Sequence, residues 1–186
     1  MHVSKSKLEG VLLIQPDIFE DSRGFFLESY NKRRYEEAGL NFQFVQDNLS
    51  KSVKDTIRGL HYQIGKNAQG KLCYVITGRV LDVAVDLRFG SPTFGKYFSV
   101  ELTEEKKNQI WIPPGFAHGF AVLSDIAIFC YKCTALYSKS DERAIIYNDA
   151  ELQIDWKVNE PIVSDKDLRA IKFSEITKDF IYKDNG

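Results

Sequence analysis

The sequence predicts one domain, residues 1–186, built mainly of antiparallel β-strands packed as a sandwich or barrel with a few short helices. Short apolar segments of period two recur along the whole chain, and Phe and Tyr are abundant, at thirteen and nine of 186 residues. Helical patterns, by contrast, are confined to two places.

The first segment, Val11 to Ile14, stops before Pro16 and Asp17, and Phe25 to Tyr30 follows the turn sequence Asp21-Ser22-Arg23-Gly24. Lys32 to Ala38 reads as a helix with Asn31 as its N-cap and Gly39 as its stop. Further strands are expected at Phe42 to Gln46, Leu72 to Thr77 and Val80 to Leu87, the last two separated by Gly78. Tyr97 to Leu102 and Gln109 to Ile112 come next, and Pro113-Pro114-Gly115 closes the latter. Phe120 to Leu123, Ile126 to Cys133 and Ala144 to Tyr147 complete the strands, and a second helical piece starts at Ser164.

Within Val80 to Leu87, alternate residues Leu81, Val83, Val85 and Leu87 form an apolar face, while Asp82, Ala84 and Asp86 form a polar one. That polar face either lines a barrel interior, where Asp82 would meet a ligand or orient a histidine, or it faces water.

A net charge of -1 with interspersed cations and anions leaves no electrostatic footprint for nucleic acid or an anionic membrane. The N-terminal MHVSKSKLEG has no apolar signal core, and the most apolar stretch, Phe116 to Tyr131, is broken by His118, Ser124 and Asp125. A soluble cytoplasmic protein is expected. Cys73, Cys130 and Cys133 are an odd number without a disulfide spacing, so reduced, partly buried thiols are expected.

Apart from His2 at an N-terminus expected to fray, the histidines are His61 in RGLHYQ and His118 in IPPGFAHGF. On a strand His61 and Gln63 share a face, and Arg58 and Lys71 bring cations near it, a combination unusual for a passive core. Together the two runs resemble the paired motifs of the cupin superfamily, which implies a jelly-roll, a double-stranded antiparallel β-helix. A metal-binding cupin brings about three His and one Glu to the ion. Here Gln63 stands for the second His and Lys71 lies where the acid is expected, so a site without metal is expected.

Nine segments in order, among them DSRGFFLESYN, FVQDN, RGLHYQ, AQGKL, LDVAVDLRFGSPTFG, IWIPPGFAHGFAVLS and SDKD, are similar to the dTDP-4-dehydrorhamnose 3,5-epimerase family, from about Leu8 to Ala170. The resemblance implies inversion of C3 and C5 of a 4-keto-6-deoxyhexose carried on dTDP, through an enolate and with no cofactor. It implies His61 as general base, Asp167 as its orienting acid, Lys71 at the C4 oxygen and Tyr131 as proton donor on the other face. For Asp167 the residues alone favour a helix-capping segment, Ser164-Asp165-Lys166-Asp167. His118 with Asp82 forms a second His/Asp pair, assigned to substrate binding or support.

By the same resemblance Arg23 and Arg58 meet the diphosphate, and Glu28, Gln46, Asp47 and Asn48 hydrogen-bond nucleotide or sugar. Tyr137 stacks on thymine with Phe26 as a neighbouring wall, and Glu142 and Lys166 flank the site. A homodimer is implied, with an N-terminal strand exchanged between subunits. Three alternatives stay open: an epimerase acting only at C3, a metal-dependent cupin enzyme, and a nucleotide-sugar binding module without catalysis.

Overall fold

The computed structural model describes residues 1–183. In chain order its elements are β1 (His2–Lys5), β2 (Leu12–Gln15), β3 (Phe19–Asp21), β4 (Gly24–Phe26), α1 (Lys32–Glu37), β5 (Gln46–Val53), β6 (Thr56–Gln63), β7 (Lys71–Thr77) and β8 (Arg79–Asp86). They continue with β9 (Tyr97–Thr103), β10 (Gln109–Ile112), β11 (Phe116–Val122), β12 (Ile126–Cys133), β13 (Glu142–Ala144), β14 (Ile162–Val163) and α2 (Asp165–Leu168). One sheet runs β1-β2-β10-β7-β12-β5 and the other β13-β6-β11-β8-β9, with β14 added parallel to β6. The remaining strand pairs are antiparallel, as the jelly-roll expectation requires.

Three apolar layers hold this arrangement. Between the sheets, Val75, Ala84, Leu102, Ile110, Phe120 and Phe129 form the interior core, where burial of each large side chain contributes about 1.5–3 kcal/mol. Outside the second sheet, Leu81, Val83, Val85 and Ala117 pack under Leu152, Trp156 and Phe173 of the C-terminal segment. Outside the first sheet, Tyr35 and Leu40 cover Ile14, Leu72 and Trp111, and Phe42 stacks on the indole at 3.5 Å. β8 is therefore covered on both faces, and the polar face bearing Asp82 and Asp86 is buried rather than solvated. Asp86 is satisfied locally by Arg88, Ser91 and Thr93.

Several boundaries differ from expectation. The N-terminus is not frayed: His2 to Lys5 pair along β2, and Met1 forms an ion pair with Asp17. The strand expected at Phe42 to Gln46 instead begins at Gln46 and runs to Val53. Phe42 and Phe44 serve as lids on Trp111, so their alternation reports a side-chain contact rather than a strand. Of Phe25 to Tyr30 only Phe25 and Phe26 are strand, in β4 (Gly24–Phe26), and the strand expected at Ala144 to Tyr147 is instead Glu142–Ala144. Both helix starts are as read, with Asn31 Oδ1 accepting from Arg34 N and Ser164 Oγ from Asp167 N.

The register between β6 and β11 carries an irregularity that sets up the site. His118 faces His61 and Phe120 faces Arg58, so two residues of β6 oppose one of β11. Gly59 occupies this bulge at φ +123°, and a Cβ there would lie 2.5 Å from Gly119 Cα and 2.8 Å from the His118 carbonyl oxygen. Only glycine fits. Gly59→Ala is expected to cost roughly 2–5 kcal/mol through backbone strain and overpacking, measured by urea unfolding; a loss below about 1 kcal/mol would show that the bulge relaxes freely.

Candidate active site

Strict alternation along β6 places Arg58 and His61, three residues apart, on opposite faces. The bulge at Gly59 shifts the phase, and both side chains line one cavity of about 750 Å³. Its wall is completed by β5, by Lys71 at the start of β7, by His118 and Phe120 of β11, by Tyr131 of β12 and by Lys166 and Asp167 of α2.

His61 Nε2 lies 2.6 Å from Asp167 Oδ1, while Asp167 Oδ2 accepts a long 3.5 Å bond from Gly59 N. Burial alone would raise the Asp167 carboxyl; the hydrogen bond and charge of His61, with the Gly59 and Ser164 contacts, hold it below the ordinary carboxylate range. The capping segment and the histidine partner turn out to be compatible. Ser164 supplies the cap, and the Asp167 carboxylate is left free to reach the imidazole.

The second pair is His118 Nε2 to Asp82 Oδ2 at 2.9 Å, with both residues buried. Of the two settings considered for Asp82, the structure has the barrel interior. Burial lowers the His118 pKa despite Asp82 beside it, so this imidazole stays neutral near physiological pH. Tyr131 is pushed up to about 12 chiefly by burial, which keeps the phenol protonated and able to donate. Lys71 is 9% exposed and, among the described residues, its ammonium has no ion pair or hydrogen bond; the Nζ lies 5.8 Å from the Tyr131 ring centre. A buried ammonium without a carboxylate partner is costly and suits a ligand that brings its own negative charge.

Around the rim, Gln46 Oε1 accepts from Tyr137 N at 2.8 Å, and the Tyr137 hydroxyl donates to Glu142 Oε2, which also pairs with Lys166 at 2.6 Å. Burial raises Glu142, but Lys166 and Tyr137 outweigh it and lower its pKa. Asn48 lines the cavity, and Arg58 is braced by its Nε bond to Ser52 Oγ. Gln63 accepts from Ser138 N, so it anchors the loop that carries Tyr137 instead of facing the cavity.

Four expected ligand contacts are not assembled in the chain's own cavity. Asp47 lies on the outer face of β5 and pairs with Lys132 at 2.7 Å, because odd positions of that strand point away from Gln46 and Asn48. Arg23 and Phe26 sit on the β3–β4 hairpin, which among the described residues pairs with no other strand, and line a separate depression there. Glu28 is engaged by Arg34 and Asn31.

Sequence reading missed Ser50, Ser52 and Phe120 as lining residues. The signal was present but inverted: Gln46, Asn48, Ser50 and Ser52 point inward, while Leu49 and Val53 are 65% and 55% exposed. A strand that lines a wet cavity turns its polar residues in.

The whole arrangement has close counterparts. The family model described as dTDP-4-dehydrorhamnose 3,5-epimerase matches residues 5–175. A relative of that name from Shigella flexneri is 53% identical over 174 residues, covering 93% of this chain and 96% of the relative. A crystal structure of dTDP-6-deoxy-D-glucose-3,5-epimerase from Legionella pneumophila Philadelphia 1, in complex with dTDP-4-keto-L-rhamnose, superposes with a TM-score of 0.94 at 47% identity and covers 98% of both chains. A dTDP-4-dehydrorhamnose 3-epimerase from Streptomyces niveus is 37% identical over 90% of this chain and 82% of its own length. With the family model matching nearly its whole length and the jelly-roll shared, this chain belongs to the dTDP-4-dehydrorhamnose 3,5-epimerase family.

Proposed function

We propose that the cavity converts dTDP-4-dehydro-6-deoxy-D-glucose to dTDP-4-dehydro-L-rhamnose by inverting C3 and C5 in turn. The observation that carries this reading is the His61–Asp167 pair at 2.6 Å, which opens on the same cavity as Lys71 and Tyr131. With Nε2 bonded to Asp167, the Nδ1 lone pair of His61 takes the C3 proton, and the carboxylate stabilises the imidazolium that results. The electron pair moves into the C4 carbonyl, whose oxygen becomes an enolate beside the Lys71 ammonium. Tyr131 donates its phenolic proton to C3 from the opposite face. After proton exchange with solvent, the same groups act at C5, because both carbons flank one ketone.

Arg58 binds the diphosphate with its guanidinium fork, Asn48 and Gln46 order the nucleotide end, and Tyr137, held by Glu142, stacks on the thymine. Glu142 and Lys166 close that rim. The site uses no metal or cofactor, since the ketone itself acidifies both protons. Dissolved in deuterated water with the substrate, the enzyme is expected to place label at both C3 and C5. Label at C3 alone would establish the narrower reaction named for the Streptomyces niveus relative.

Arg23, Phe26 and Glu28 enter the reading through a homodimer in which the β3–β4 hairpin reaches the partner's cavity. The hairpin presents Phe19, Phe25 and Phe26 to solvent at 57%, 58% and 64% exposure, and the outer face of β5, β7 and β12 presents Leu49, Val53, Ile76 and Ile126. Apolar surface of that extent is characteristic of an interface. Light scattering should give twice the chain mass at working concentration; a monomer that retains full turnover would remove the hairpin from the site.

A further inference from the structure

At the floor of the cavity the interior contains a cluster that the epimerase chemistry does not use as a unit. Cys73 of β7, Asp82 of β8 and His118 of β11 are all buried, and one donor atom from each lies within 4.8 Å of the others. Cys73 Sγ is 3.9 Å from His118 Nε2, which is 2.9 Å from Asp82 Oδ2. Asp82 is fully buried, yet its second oxygen, Oδ1, has no hydrogen-bond partner among the described residues. A buried carboxylate oxygen without a partner is unstable on its own and is a ready ligand for a cation.

We propose that Cys73, Asp82 and His118 bind a single thiophilic divalent ion of the zinc, cobalt or cadmium class, and that its occupancy closes the cavity to the sugar. One soft thiolate, one imidazole and one carboxylate suit such an ion, with a fourth position left open. His118 lines the cavity, which provides the entry path. The set differs from the cupin motif ligands: it shares His118 with them, while Gln63 is held by Ser138.

The charges balance at this position. Binding releases one proton, from the Cys73 thiol, and His118 stays neutral by carrying its proton on Nδ1 while Nε2 ligates the ion. A dipositive ion with one thiolate and one carboxylate is neutral overall, so the Lys71 ammonium nearby meets no net positive charge. Because the thiol proton is released on binding, uptake strengthens as pH rises. His118 lines the same cavity as Lys71 and Tyr131, so an ion held on its Nε2 competes with the sugar for that space and acts as an inhibitor and not a catalyst.

The test is titration of chelator-stripped protein with Co²⁺, followed by the near-ultraviolet thiolate-to-cobalt absorption. The wild type is expected to develop the band at one equivalent and Cys73→Val to lack it, with zinc affinity weakened at least about tenfold in competition with a chelating dye. Cys73→Ser serves as a second, polar variant that keeps the side-chain volume. Cys130 and Cys133 remain in both variants, so a band that persists in them, or is missing in the wild type, overturns the site. Zinc is further expected to slow epimerisation by the wild type reversibly, with chelator restoring it, and to spare Cys73→Val; equal inhibition of both proteins overturns the inhibitory role. The inhibition arm rests on the epimerase reading and the cobalt arm does not, so a failure of turnover in metal-free protein separates the two.

Discussion

Replacing His61 by Asn is expected to lower solvent exchange at both C3 and C5 by roughly 10³–10⁴-fold, with dTDP affinity nearly unchanged. The side-chain amide keeps a donor for Asp167, whose carboxylate sits 2.6 Å from the imidazole in the native site, so the buried acid is not left unpaired. What disappears is the basic lone pair. Because one base serves both carbons in the proposed sequence, the two exchange rates fall together. Deuterium exchange followed by proton NMR reads both positions at once, and retention of either at the native rate would assign the base elsewhere.

Replacing Lys71 by Met is expected to lower kcat by about 10²–10³-fold with little change in KM, as removal of a donor aimed at a developing oxyanion does. The same variant is expected to melt at an equal or higher temperature. Lys71 is buried, and among the described residues it has no carboxylate partner, so the native fold bears its desolvation without an ion pair in return. Methionine keeps the length and removes the charge. Steady-state kinetics and a thermal melt on one preparation check both halves. A stability loss of several kcal/mol with unchanged kcat would make Lys71 a structural residue.

Much of this molecule was legible in the order of its residues. Gln109 to Ile112 and Ile126 to Cys133 were read to the residue, because both faces of β10 and most of β12 meet apolar layers and turn residues bound each segment. Asn31 and Ser164 announced their helices through local chemistry, since a capping side chain needs nothing beyond its own turn. β5 was read poorly because its pattern is inverted, and β1 was missed because a short edge strand with Lys and Ser carries almost no apolar signal.

For the candidate site, residue types and their neighbours in sequence singled out His61, Lys71 and His118, while family resemblance supplied Asp167 and the roles proposed for all four. That Arg58 and His61 share a face was not legible. It follows from a bulge whose geometry requires Gly59 and Gly119 to meet across two strands 60 residues apart in sequence, and no local rule reports such a meeting. The pairing of His61 with Asp167, across 106 residues, was expected from resemblance and not from the local residues, and the lone burial of Lys71 emerges only when the sheets close.

By itself, then, the sequence determined the strand-rich class, the helix starts, and the scarcity of histidine that confines base chemistry to two short runs. These are local properties: periodicity, capping and composition are written within a few residues of one another. Tertiary structure decided which face each functional side chain took, sending Asp82 inward and Asp47 outward, and it brought Cys73 against His118. Those outcomes depend on strand register and on a one-residue bulge, and a shift of one residue there reverses every facing.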